Sequence, residues 1–121
     1  TLVDKTSIAD IEPFTTIDGS IIREMMHPGI HGNQNQSLAE AIINVGHTTK
    51  LHKHHFSEEL YFVTQGNGIM TLGNRTFLIE TGDTVLITPG TPHQIENNGS
   101  SDLKILCCCS PAYSHADTEL I

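Results

Sequence analysis

The chain has 121 residues, of which 37% are hydrophobic and 17% charged, a composition that suits a single compact domain. Its 6 basic and 14 acidic residues give a formal net charge of -8, so nucleic acid and anionic membrane surfaces are not expected as partners. The apolar runs are far shorter than the roughly 20 residues of a membrane helix, and no leader-like segment precedes Asp4. We therefore expect a cytoplasmic protein.

The predicted elements are short β-strands separated by turn signals. A first strand at residues 20–25 is followed by a polar loop at 27–36, where Gly, Asn and Gln interrupt the pattern. Further strand-length runs lie at 37–45, 51–54, 58–65, 69–72, 75–80, 84–87, 93–96 and 103–109. The Gly73-Asn74 pair predicts a tight hairpin turn, and no window shows a helical period. Residues 114–121 are predicted to be a frayed tail.

Strands this short and closely spaced predict an all-β domain that spans residues 1–121, either a sandwich or a small barrel. Because a chain of this size buries only part of its surface, we expect a homodimer that shares strands or covers a sheet edge. The three cysteines are adjacent, at 107–109, and are expected to be reduced. On a strand, either Cys108 alone or the pair Cys107 and Cys109 would point inward.

Two histidines have the spacing of metal ligands on a strand. His52 and His54 are separated by one residue, so both rings would point to the same side, with Cα atoms roughly 6 to 7 Å apart. Glu59 could return to the same place on the next strand. The proline-containing turn at 88–92 would hold His93 at the start of a further strand. These four side chains predict a site for one divalent metal ion.

The same residues resemble the two motifs of the cupin superfamily. The first motif, G-x5-H-x-H-x(3,4)-E-x6-G, is matched by Gly46, His52, His54, Glu59 and Gly66. The second, G-x5-P-x-G-x2-H-x3-N, is matched by Gly82, Gly90, His93 and Asn97, with Thr88 in place of its first proline. The motifs span residues 46–97. The resemblance implies a double-stranded β-helix, the jelly-roll or cupin barrel, holding one divalent transition metal ion on His52, His54, Glu59 and His93.

Three imidazoles and one carboxylate suit Mn, Fe, Co, Ni, Cu or Zn better than Ca or Mg, and four protein ligands leave room for a small-molecule substrate. The resemblance thus implies a metal-dependent enzyme that acts on a small oxygen-rich metabolite by Lewis-acid chemistry of isomerase, epimerase or lyase type. An Fe(II) dioxygenase of the cupin type is one alternative. A non-enzymatic binding or sensor module and a barrel with a structural metal are the others.

Three further side chains are candidates for a catalytic role. Tyr61 shares the parity of Glu59 and would place a phenol near the metal site, but a ring packed in the core is the favoured interpretation. Arg23 is either an exposed partner of Glu24 or an inward anchor for a substrate anion. Glu40 is either a base in the site or a surface charge. The sequence leaves the facing of Arg23 and Glu40 open.

Overall fold

A computed structural model describes residues 2–121, which form two antiparallel β-sheets. The elements include a short helix α1 (Pro28–His31) and the strands β1 (Phe14–Thr15), β2 (Ile21–Met26), β3 (Ser37–Ile43), β4 (His52–His54), β5 (Glu58–Gln65), β6 (Asn67–Leu72), β7 (Arg75–Glu80), β8 (Thr84–Ile87), β9 (His93–Glu96), β10 (Leu103–Ser110) and β11 (Thr118–Leu120). None of the described helices has the length and apolarity needed to cross a membrane.

The two sheets enclose one core. One sheet has the strand order β1-β2-β3-β10-β5-β8 and the other β11-β4-β9-β6-β7. Alternate residues of β3 and β10 are buried, as expected for strands with one face toward a core. Val63 and Ile105 from the first sheet lie in the same buried cluster as Met70 and Ile95 from the second. The predicted all-β class is therefore confirmed.

The predicted strands agree with the observed ones, with end shifts of one or two residues. Two predictions outside the strands were wrong. The loop predicted at 27–36 contains α1, and the tail predicted to fray contains β11, which pairs with β4. The turn before β11 is fixed by Asp117, whose carboxylate accepts hydrogen bonds from the backbone N–H groups of Phe56 and Ser57. This pairing is a tertiary contact that the local sequence pattern does not show.

Two residues of the sequence motifs have structural roles away from the histidines. Gly66 joins β5 to β6 with a φ of 85°, and a Cβ there would lie 2.9 Å from the carbonyl oxygen of Asp102. Asn97 is fully buried, and its side-chain amide donates to the carbonyl oxygens of Ile43 and Ser101. Both residues fix connections between strands that carry the inward-facing side chains.

Candidate metal centre

Three histidines meet at one end of the barrel interior. His52 and His93 are directly paired residues of β4 and β9, and His54 lies two residues beyond His52 on the same face. One nitrogen from each ring lies within 4.8 Å of the other two, and all three residues are buried. The spacing of the first two ligands on a strand therefore brings the rings together, and the pairing of β4 with β9 adds the third.

The hydrogen bonds behind the rings fix which nitrogen faces the centre of the cluster. His52 Nδ1 lies 2.8 Å from the carbonyl oxygen of Lys50, and His93 Nδ1 lies 2.9 Å from that of Thr91. A carbonyl oxygen only accepts, so both Nδ1 atoms carry the proton in these bonds. The Nε2 atoms of the neutral rings are then left with lone pairs directed inward.

The third ring is fixed by a hydroxyl group of β11. Thr118 is the strand partner of His54, and its Oγ1 lies 3.0 Å from His54 Nδ1. The same hydroxyl donates its single proton to the carbonyl oxygen of Ser114 at 2.8 Å, so it accepts from the Nδ1–H of His54. All three imidazoles thus present Nε2 lone pairs to one point.

Glu59 reaches the cluster from β5 of the opposite sheet. Its Oε1 lies 3.2 Å from His54 Nε2 and 3.5 Å from His93 Nε2, and the residue is buried. Its other oxygen, Oε2, accepts a hydrogen bond from the Cys109 thiol at 3.2 Å. Burial acts to raise the pKa of Glu59, whereas hydrogen bonds and positive charge from His54 and His93, when these rings are protonated, lower it to about 2. With the rings neutral, a cation among the four groups would instead keep Glu59 ionised.

These donors fit a divalent transition metal ion. Glu59 Oε1 and His93 Nε2 are buried without a hydrogen-bond partner, and between a carboxylate and neutral imidazoles the short contacts join acceptor to acceptor. Burial, and next to it the neighbouring His93, lowers the pKa of His52, which favours its neutral form. A cation placed among the four groups relieves this repulsion, so the cluster is consistent with a metal site.

The cluster opens onto a cavity between the sheets. Apolar residues of the six-stranded sheet, including Ala39, Ala41 and Ile105, form part of its wall. Tyr61 also lines the cavity, with its ring centroid 6.0 Å from that of His93, and burial raises the pKa of its phenol well above 10. The structure therefore places Tyr61 beside the cluster, as its parity predicted, and also within the core.

The other two catalytic candidates do not face the cavity. Arg23 Nη1 lies 3.5 Å from Glu40 Oε1, and the β2–β3 register pairs these residues directly. The same register pairs Glu24 with the buried Ala39, so Glu24 faces the cavity and Arg23 does not. The structure thus places Arg23 and Glu40 against each other and outside the cavity wall, away from the positions that an inward anchor and a base in the site would need. The partner of Arg23 is Glu40 and not Glu24.

The structure also resolves the cysteine run. Cys107 and Cys109 point into the cavity, whereas Cys108 lies on the other face of β10. Burial, and next to it the negative charge of Glu59, raises the pKa of the Cys107 and Cys109 thiols. Both thiols therefore stay protonated, and neither has the thiolate character that nucleophilic catalysis requires.

Three cavity residues were missed by the sequence analysis. Asp18 sits in the β1–β2 turn with Oδ2 3.8 Å from His52 Nε2, and the Asp18-Gly19 pair is a hairpin signal that could have located this turn. Tyr113 packs edge-on against the His54 ring with centroids 5.8 Å apart. Neither Tyr113 nor Thr118 stands in a recognisable motif, because both reach the site through the fold of the C-terminal segment.

Known proteins resemble this chain in sequence. The family model described as "Cupin domain" matches residues 39–109. An uncharacterized protein of Methanocaldococcus jannaschii is 56% identical over 117 residues, which cover 97% of this chain and 94% of that protein. The oxalate-binding protein of Thermotoga maritima is 31% identical over 84 residues, 69% of this chain and 65% of that protein.

Solved structures support the fold assignment. The polyketide cyclase RemF from Streptomyces resistomycificus has a TM-score of 0.84 and 16% sequence identity, with 99% of this chain and 86% of that chain covered. At this level of identity the likeness concerns the fold alone. The two-sheet β-barrel described above is thus a jelly-roll barrel, in agreement with the sequence prediction.

Proposed function

This chain belongs to the cupin family, and from that premise we propose that it binds one divalent transition metal ion on His52, His54, His93 and Glu59. The observation that carries the proposal is the convergence of three inward lone pairs, each set by a hydrogen bond behind its ring, on a buried carboxylate. Mn, Fe, Co, Ni, Cu and Zn all accept such a donor set. The supply of metal in the cell decides among them.

We further propose that the protein is an enzyme that acts on a small oxygen-rich metabolite, with isomerase, epimerase or lyase chemistry. When bound, the ion supplies Lewis-acid polarisation of a substrate oxygen. The chain itself supplies a buried cavity wall that excludes water and a few polar groups that orient the substrate. Tyr61 can donate a hydrogen bond from its phenol, since its raised pKa keeps the hydroxyl protonated.

Metal binding is tested by elemental analysis of protein purified without chelators, for the wild type and for His93→Ala. We expect the variant to lose the metal while its all-β circular dichroism spectrum is retained. The matched control is His55→Ala, because His55 follows the ligand His54 but is exposed and pairs with Glu119 at 3.0 Å. A metal content in His93→Ala equal to that of the wild type would contradict the ligand assignment. Unfolding of His93→Ala, with His55→Ala intact, would instead indicate a structural metal.

The enzymatic part is tested separately with metal-loaded protein. Isomerase and lyase activity is measured against a panel of sugars and hydroxy or keto compounds with Mn, Ni or Zn restored. Inactivity of every metal form would remove the enzymatic proposal and leave metal binding in place. Oxygen consumption by anaerobically Fe(II)-loaded protein distinguishes the dioxygenase alternative.

A non-enzymatic binding module is the second candidate, and one comparison favours it. A relative that shares 31% identity carries the name oxalate-binding protein, which describes binding and not turnover. This candidate predicts saturable binding of a small molecule with no chemical change in it. Mass spectrometry of the small molecule that accompanies the purified protein, before and after incubation, separates the two candidates.

A further inference from the structure

The cavity beside the histidine cluster is lined by several carboxylates. Asp18, Glu24 and Glu59 all line it, whereas no lysine or arginine of residues 2–121 does so. Arg23, the nearest basic candidate on β2, is paired with Glu40 away from the cavity. A ligand that enters this space therefore meets several carboxylates, but no lysine or arginine side chain that could neutralise a carboxylate or phosphate.

Asp18 is held firmly in this environment. Its Oδ1 accepts hydrogen bonds from the backbone N–H of Ser20 at 2.9 Å and from the Ser20 hydroxyl at 2.7 Å. Its backbone carbonyl accepts from the N–H of Lys50 at 2.7 Å, and the residue is 8% exposed. These bonds fix one oxygen and leave the other, Oδ2, 3.8 Å from His52 Nε2 with no hydrogen bond among the described residues. Oδ2 is thus a preorganised acceptor next to the cluster.

The charges of the site determine what it can hold. The ion of the proposed function carries two positive charges, and Glu59 and Asp18 each carry one negative charge. These charges cancel when the three imidazoles bind the ion as neutral rings, each with its proton on Nδ1. An uncharged ligand leaves the cavity neutral, whereas a dianion adds two uncompensated negative charges inside a buried space. Glu24 also lies on the cavity wall. Burial raises the pKa of Glu24, which favours its neutral form.

We propose that Asp18 makes the cavity selective for uncharged, hydroxyl-bearing ligands, with Oδ2 accepting a hydrogen bond from a ligand hydroxyl beside the histidine cluster and its charge excluding small dianions. The inference rests on the proposed metal-centred function and names the ligand class of that site. A charged acceptor strengthens a hydrogen bond from a neutral hydroxyl. Asp18 therefore favours uncharged ligands that carry a hydroxyl group and disfavours small dianions.

The test measures binding to Co(II)-loaded protein by the change in its visible absorption. Oxalate is the dianionic probe and dihydroxyacetone is the uncharged probe. In Asp18→Asn we expect oxalate to bind about tenfold more tightly than in the wild type, and dihydroxyacetone to bind several-fold more weakly. The asparagine oxygen can still accept from Ser20, so the turn should be retained. Glu80→Gln, on the edge strand β7 and exposed, removes the same charge far from the cavity and should change neither affinity.

The outcomes separate this inference from the function on which it rests. Equal oxalate affinity in the wild type and in Asp18→Asn overturns the inference alone. Loss of Co(II) from Asp18→Asn also overturns it, because Asp18 is then a ligand of the ion. Failure of the wild type to take up Co(II) overturns the proposed function together with the inference, whereas failure of both probes to change the Co(II) spectrum in any variant overturns the inference alone. If Asp18→Asn does not fold, Asp18→Ser replaces it, and an unchanged oxalate affinity there overturns the inference.

Discussion

The hydroxyl group of Thr118 holds a metal ligand in place without being a ligand itself, which makes it a sensitive test of the site. Thr118→Val keeps the shape of the side chain and removes both of its hydrogen bonds, the one from His54 Nδ1 at 3.0 Å and the one to Ser114 at 2.8 Å. The His54 ring is 3% exposed, so its N–H is left without a partner in a dry environment. We expect both metal affinity and stability to fall.

The size of both effects follows from these contacts. Removing a partner of a metal-bound histidine typically costs about 10- to 100-fold in metal affinity, which is about 1.4 to 2.7 kcal/mol. For the metal-free protein, a buried donor without its partner costs about 1 to 3 kcal/mol, so we expect the free energy of unfolding to fall by about 2 kcal/mol. Thr118→Ser keeps the hydroxyl, so it should lose less metal affinity and less free energy of unfolding than Thr118→Val.

The assay is a Co(II) titration in competition with a chelator, together with urea unfolding of the metal-free protein. The comparison is between Thr118→Val and Thr118→Ser, because both shorten or alter the same side chain on the same strand. If the two variants bind Co(II) within a factor of two of each other, the hydroxyl does not orient His54. Hydrogen bonds behind the rings would then not prepare this site for a metal ion.

Three more expectations concern protonation, packing and assembly. Because burial lowers the pKa of His52 in the folded chain, the unfolded chain binds more protons below about pH 6.5. The free energy of unfolding of the metal-free protein, measured with urea, should therefore fall from pH 7.5 to 5.5, by at most about 1.4 kcal/mol per pH unit for one proton. His52→Asn should make this free energy depend less on pH. Gly68→Ala places a Cβ 2.6 Å from the carbonyl oxygen of Glu96, so the melting temperature of this variant should fall by several degrees. An unchanged melting temperature would contradict the close approach of β6 and β9. We propose that the expected homodimer uses the exposed apolar face that holds Leu60 and Phe62. Phe62→Lys should then lower the molecular mass measured by sedimentation. A wild-type protein that sediments as a monomer would rule the dimer out.

Sequence spacing could place the histidines because a strand has a period of two, which sends His52 and His54 to one face wherever the strand lies. The proline-containing turn before His93 and the six-residue interval between Glu59 and Gly66 then indicate the remaining two candidate ligands. The facing of Arg23 could not be predicted, because it depends on the β2–β3 register and no alternation within β2 reveals it. Thr118 enters the site through long-range pairing, for which the local sequence carries no signal, whereas the Asp18-Gly19 pair marks a turn without showing what that turn faces.

The candidate ligands come from both sheets, with the histidines on β4 and β9 and Glu59 on β5. An ion held by all of them would cross-link the two sheets at this end of the barrel. Opening of this end of the barrel then requires the ion to leave or to give up a ligand. Amide hydrogen exchange in β4, β5 and β9 should therefore slow together when metal is added, while exchange in the distant edge strand β7 changes little.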